Sequence, residues 1–333
     1  MIDPLGRASI TQRLQPIEGE VHASAVHPLG NALAFVLAEE ALLHVAQDGA
    51  ITRIPVHAGG ILASAAAPDG IITGGDDGTV ALTDTHGVMR VLATDEKRRW
   101  IDQVASGPAG AIAWSAGKTA HVRAASGEVK TLEMPSSPGG LAFALKGFRL
   151  AASHYDGVSL WFPNAEASPE KLEWKGSHLG VAFSPDGKYV VTAMQEPMLH
   201  GWRLADGKHM RMSGYAGKVR AMSWTADGKW LATGGSDQVV LWPFGGKDGP
   251  MGKQPRMLAP LPARVVAIAC HRAQDVAAVG YADGTVLLVR LEDGAEIIAR
   301  RPDGSGVSAL GWDTAGQRFA FGTEGGSAGT LAL

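Results

Sequence analysis

Cysteine is nearly missing from this chain of 333 residues; the single one is Cys270. No intramolecular disulfide can staple such a sequence, which fits a reducing compartment. Cys270 sits in the apolar stretch Val-Val-Ala-Ile-Ala-Cys and reads as a small buried hydrophobe. An excess of one charge is missing too: 30 Lys and Arg stand against 33 Asp and Glu, a net charge of −3. That excludes the electrostatic footprint of a nucleic-acid binder. The densest basic run, Lys97-Arg98-Arg99, is too short to track phosphates and reads as a solvated loop. No run of 18 apolar residues occurs, so no membrane-spanning helix is expected. The start, MIDPLGRASITQRLQPIEG, lacks the apolar core of a secretory signal. A cytoplasmic location is the expectation.

Local catalytic and metal signatures are also wanting. The 11 histidines include no His-x-x-x-His pair, and one cysteine cannot build a zinc motif. His22, His154 and His178 could meet only if the fold gathered them, so structural roles are expected and no metal or cofactor is implied. Ala116-Gly117-Lys118-Thr119 resembles the tail of a phosphate loop, but the loop's first glycine would fall at Ile112. A strand-like AHVRAAS follows where the chemistry needs a helix N-terminus. Gly304-Ser305-Gly306 mimics a dinucleotide fingerprint but opens a strand instead of a strand-to-helix turn. No nucleophile, base and acid are visible at a telling spacing, and the chain is not expected to be an enzyme.

What the chain does have is a unit of about 40 residues written eight times. The copies start at Val21, Ile61, Ile101, Pro138, His178, Val219, Val265 and Val307. Each runs apolar strand, turn, strand, turn, strand. Asp77-Gly78, Asp156-Gly157 and Asp283-Gly284 stand between second and third strands, where a tight hairpin needs φ > 0. Such units cannot bury an apolar face alone and must pack on one another. Strand-only repeats of this length predict an all-β propeller, one domain over residues 1–333, with eight four-stranded blades and seven as the alternative. A spare strand at about residues 8–14 would complete the last blade and shut the ring. The Gly- and Pro-rich stretch 244–262 reads as a long surface loop around a short strand.

The repeats resemble WD40 repeats over essentially the whole chain. The residues that carry the likeness are Phe183-Ser184-Pro185-Asp186-Gly187, Leu231-Ala232-Thr233-Gly234-Gly235-Ser236-Asp237, and the strand-ending Trp161, Trp202 and Trp242. The Trp-Asp pair that names the family is missing at those ends. The family's Gly-His survives in part at His57, and Gly214-Tyr215 looks like a substituted copy. The resemblance implies a structural His57–Asp77 pair, with Asp156, Asp237, Asp283, Trp161 and Trp242 also structural. It implies a rigid scaffold that binds a protein or peptide partner; the charge balance and the lack of a long apolar run lead us to expect neither nucleic acid nor membrane as partner. In related propellers one early position of each first strand faces the channel entrance. Aligned here, these positions are His22, Leu62, Asp102, Gly139, Leu179, Arg220, Val266 and Ser308. Of these, His22, Leu62, Asp102, Leu179 and Arg220, with the nearby aromatics Trp100 and Tyr155, are the candidate partner-binding residues. A small-molecule or metal-binding enzyme or sensor with its site at the channel mouth is the alternative.

Overall fold

The computed structural model describes residues 6–333. Among them every regular element is a β-strand except two 3-10 turns, Thr11–Arg13 and Pro108–Gly110. A typical copy runs Ile61–Ala67, Gly70–Gly75, Thr79–Asp84 and Met89–Thr94, in that order across one antiparallel sheet. The first strands pack on neighbouring copies, and the fourth lie outermost.

The strands form seven sheets in a propeller arrangement, the alternative that the eight-copy count left open. The difference lies in one six-stranded sheet that holds the fourth and fifth copies together. Its strand Glu170–Phe183 is continuous. Residues from Glu170 to Glu173 pair with Leu160 to Gly157 as the outer strand of the fourth copy. Residues from His178 to Phe183 pair with Met194 to Val190 as the inner strand of the fifth. The two roles meet at Gly176, at φ 121°, without an intervening loop, so eight sequence copies form seven hydrogen-bonded sheets.

The N-terminal strand differs from its expected bounds of 8–14. Leu14–Ile17 joins the last copy, antiparallel to Ala328–Ala332 with Leu14 opposite Leu331. Ala8–Ser9 instead lies parallel to Glu296–Arg300 as a fifth strand of the seventh copy's sheet. The turn Thr11–Arg13 separates them. Apolar spacing explains the split: Ile10 and Leu14, four apart, both pack on the core of the seventh and eighth copies. The stretch 244–262 holds one short strand, Arg256–Leu258, between loops.

The chain divides into two compact units. One comprises Met1–Leu37, Leu43–Thr52 and Tyr215–Leu333; the other comprises Ala38–Leu42 and Arg53–Gly214. The second holds copies two to five. Its cores lie between successive copies: Ile72, Val80 and Leu82 pack with Ile101, Val104 and Trp114. Ala113 and Val122 of the third copy pack with Phe143, Leu150 and Trp161 of the fourth. The first unit repeats the scheme, with Val239 and Leu241 against Val279, Leu287 and Val289. No copy owns a complete core, as expected of stacked repeats.

Glycine makes the close spacing possible. A Cβ on Gly74 would come within 2.6 Å of the Ile101 carbonyl oxygen, and one on Gly234 within 2.7 Å of the Val265 carbonyl oxygen. In both cases a glycine in or directly after the second strand faces the first residue of the next copy's inner strand. This accounts for part of the high glycine content.

Candidate functional site

The inner strands share one irregularity that aims side chains. In six copies the cross-strand register slips by one residue, a β-bulge, at Ser24, Leu62, Asp102, Leu179, Val266 and Ser308. A bulged residue leaves the ladder and its side chain is re-aimed. Five of these are positions that sequence alignment marks as entrance-facing.

His22 is the exception. Leu29 pairs with Ala32 in the first copy, whereas Ala67 pairs with Gly70 in the second. Measured from the hairpin turn, Ser24 is therefore the equivalent of Leu62, and alignment on Pro28 places the first copy two residues out of step. The His22 ring is half-exposed, with Nε2 3.6 Å from Glu20 Oε2. Arg220 is exposed in the same unit. Gly139 donates its N–H to the Ser153 carbonyl at 2.8 Å.

The second unit brings the other candidates onto neighbouring strands. Ile61–Ala67 packs beside Ile101–Ser106, which packs beside Gly140–Phe143, which packs beside Glu170–Phe183. On or beside this series stand Leu62 (41% exposed), Trp100 (65%), just before Ile101, Tyr155 (56%), on the strand Leu150–Trp161 that pairs with Gly140–Phe143, and Leu179 (39%). Asp102 lies among them, half-buried, accepting a hydrogen bond from Ser115 Oγ at 2.7 Å. Four large apolar side chains are thus held out of the core by rigid strand ends. The neighbouring Arg98 has φ 52°, and Arg99 is tied to Asp95 at 2.7 Å.

The residues assigned structural roles sit in local networks. His57 Nδ1 lies 3.1 Å from Asp77 Oδ1, and its Nε2 lies 2.9 Å from Thr73 Oγ1. Asp77 also accepts from the N–H groups of Ala58 and Thr79 and from the Thr79 hydroxyl. Burial works to raise the Asp77 pKa, but these donors outweigh it and hold the carboxyl at about 2. In the sixth copy Tyr215 takes the histidine's place. Its hydroxyl lies 2.7 Å from Thr233 Oγ1 and accepts from Trp242 Nε1 at 2.6 Å. Asp156, at φ 67°, accepts from the Gly176 N–H, and Asp283 from the Thr285 N–H. The Asp237 carboxylate takes no hydrogen bond among the described residues; its backbone carbonyl holds the Leu261 N–H. Trp161 is buried in the core between the third and fourth copies.

Two hollows escaped the sequence reading. A cleft of about 510 Å³ in the first unit is lined by Trp230, Arg256, Arg272, Gln274 and Asp275, among others. Arg256 is already committed there, over the Trp230 ring and bonded to the Glu292 carbonyl. A pocket of about 380 Å³ in the second unit is lined by Tyr155, Trp174, Lys175, Gly176, Met194, Glu196, Met198 and Arg211. A sequence signal for it exists. Trp174 precedes His178 by four residues, as His57 precedes Ile61 and Tyr215 precedes Val219.

The residues of the metal and catalytic readings can be placed in the fold. Among the described residues no group of three or more His, Cys, Asp or Glu is placed to hold a metal ion. His154 and His178 are engaged with Ser159 and Thr192. Gly325-Gly326-Ser327-Ala328-Gly329 does spell the Gly-x-Ser-x-Gly of a nucleophile elbow. That motif needs a strand-to-helix turn. Here Ser327 lies in a strand-to-strand turn, its N–H bonded to Thr323 Oγ1. Burial pushes the Cys270 thiol up to about 11, far from a reactive thiolate. No helix among the described residues is long and apolar enough to cross a membrane.

The WD40 family model, described as WD domain, G-beta repeat, matches residues 208–242, the end of the fifth copy and most of the sixth. The sheets form a β-propeller, and the matched segment supports reading its repeats as WD40 repeats. No curated protein matches it. Among solved structures it is similar to the crystal structure of the computationally designed Ika8 protein. The TM-score is 0.77 at 19% identity, over 96% of this chain and 98% of that one. At that identity the likeness concerns the fold alone.

Proposed function

We propose that the protein is a non-catalytic scaffold that docks a protein partner on the second unit, at the strand ends carrying Leu62, Trp100, Asp102, Tyr155 and Leu179. The WD40 propeller is commonly a platform for protein interaction, which supports the general class. The observation that carries the site is the exposure of Leu62 and Leu179 on inner strands, of Trp100 just before the inner strand Ile101–Ser106, and of Tyr155 on Leu150–Trp161, which pairs with Gly140–Phe143. Aromatic side chains presented on a rigid frame are the usual anchors of a protein interface. The half-exposed Asp102 among them gives the patch a directional polar contact.

The test is affinity capture with a tagged protein and two variants, each shown to be folded by its thermal melt. One variant carries Leu62→Ser, Trp100→Ala and Leu179→Ser. The control carries Val88→Ser and Val91→Ser, on or beside the outer strand Met89–Thr94. The proposal predicts a partner recovered by wild type and control and lost by the first variant. Retention of the partner by the first variant, or its loss only from the control, contradicts the assignment.

A further inference from the structure

We infer that the pocket floored by Trp174, Met194 and Met198 receives one large apolar side chain of an acidic peptide segment, whose carboxylates meet Lys175 and Arg211. The inference rests on the protein-binding reading above and names the chemistry of what that surface holds.

The pocket arises where the fifth copy departs from its siblings. In the second and sixth copies the residue four before the inner strand is His57 or Tyr215, hydrogen-bonded to Thr73 or Thr233. The fifth copy has Trp174 there. Its threonine, Thr192, is instead held by His178 Nδ1 at 2.7 Å. The indole therefore has no part in that network. It stacks on the buried His200 with ring centroids 4.0 Å apart, while Trp174 itself stays half-buried and lines the pocket.

A second departure follows along the same hairpin. Asp77 stands four residues after Thr73 and accepts hydrogen bonds from three neighbours. Glu196 stands four residues after Thr192, is exposed, and its carboxylate accepts none among the described residues. Lys175 and Arg211 likewise make no ion pair or hydrogen bond among the described residues. Of the two carboxylates beside these cations, Glu196 is uncommitted and Asp156 is held by the Gly176 N–H, so the cations free to meet a ligand outnumber the free carboxylates, which favours an acidic partner.

The floor suits an apolar anchor. Met194 is buried and Met198 half-buried, and thioether side chains adapt to varied shapes. Gly176 has φ 121°, and a Cβ there would lie 2.9 Å from Met194 Cε, so glycine leaves the floor open. Tyr155 lines the mouth and also belongs to the exposed series of the proposed docking surface, so pocket and surface are continuous. A volume of about 380 Å³ lies in the range of small binding pockets.

The test is fluorescence anisotropy with the full chain and three fluorescein-labelled, end-blocked peptides: Asp-Glu-Phe-Asp-Glu, its Phe-to-Ala analogue, and Lys-Lys-Phe-Lys-Lys. The rim variant Lys175→Glu with Arg211→Glu touches no structural contact, and its melt checks the fold. The Phe-containing acidic peptide is expected to bind wild type, about tenfold more weakly after Phe-to-Ala or in the rim variant. Equal or tighter binding of the basic peptide, indifference to the rim variant, or no binding of any peptide overturns the inference. The capture experiment separates the two readings. A partner that depends on Trp100 while no peptide binds removes the pocket alone. Peptide binding that depends on the rim, with a partner indifferent to Leu62, Trp100 and Leu179, removes the docking surface alone.

Discussion

Asp77 shows how much one side chain can hold in a degenerate repeat. Its carboxyl sits at about 2 against an ordinary 3.8, because hydrogen bonds from Ala58 and Thr79 overcome the effect of burial and His57 adds attraction. A folded pKa below the unfolded one means stability that is fully present above the unfolded value and lost as pH falls through the folded one. Urea titrations of Asp77→Asn should therefore show an acid limb with less slope between about pH 4 and about pH 2 than wild type. Tyr215→Phe should cost about 1–3 kcal/mol in the same assay, since Trp242 Nε1–H loses its buried acceptor. Cys270 offers a test of burial without mutation. Cys270 is half-buried where the sequence suggested full burial, and burial pushes its thiol up to about 11. It should therefore react with a thiol-reactive disulfide reagent at pH 8 more slowly in the native protein than after denaturant unfolds the chain. Rapid labelling of the native protein would contradict the packing around it.

At the level of strands and sheets, tight approach governs. Gly74→Ala should destabilise by about 1–3 kcal/mol, because the new methyl meets the Ile101 backbone. An equilibrium denaturation midpoint unchanged from wild type would contradict that account. The repeat itself is legible in the sequence, because strand alternation and Asp-Gly turns are local signals. The His57–Asp77 pair is legible through its family motif. The bulge register is not local: it depends on which residues pair across the hairpin. The first copy shows the consequence, since its turn falls at Gly30-Asn31 and leaves His22 two residues short of the equivalent position. The merging of two copies along Glu170–Phe183 was hidden for a related reason. Nothing in EKLEWKGSHLGVAF announces whether the chain breaks between outer and inner strand. The split of the N-terminal segment into Ala8–Ser9 and Leu14–Ile17 depends on two partner edges remote in sequence.

For the whole molecule, the eight copies explain shape more fully than purpose. Composition and repeat length lead to the propeller, and residues 208–242 carry enough of the WD40 pattern to match its family model. In the proposed reading, partner choice resides in the features that break the repeat: Trp100, Tyr155, Trp174 and the uncommitted charges of Lys175, Glu196 and Arg211. The pocket needs residues from Tyr155 to Arg211 brought together, and only the fold does that. The most direct test of the docking surface is site-specific photocrosslinking. A benzophenone amino acid would replace Leu62, Tyr155 or, as a control, the exposed Val129 on the outer strand Val129–Glu133. The account predicts a covalent adduct with the same partner from positions 62 and 155 and none from 129. An adduct from 129 alone, or none from 62 and 155 while the partner is still captured, would contradict it.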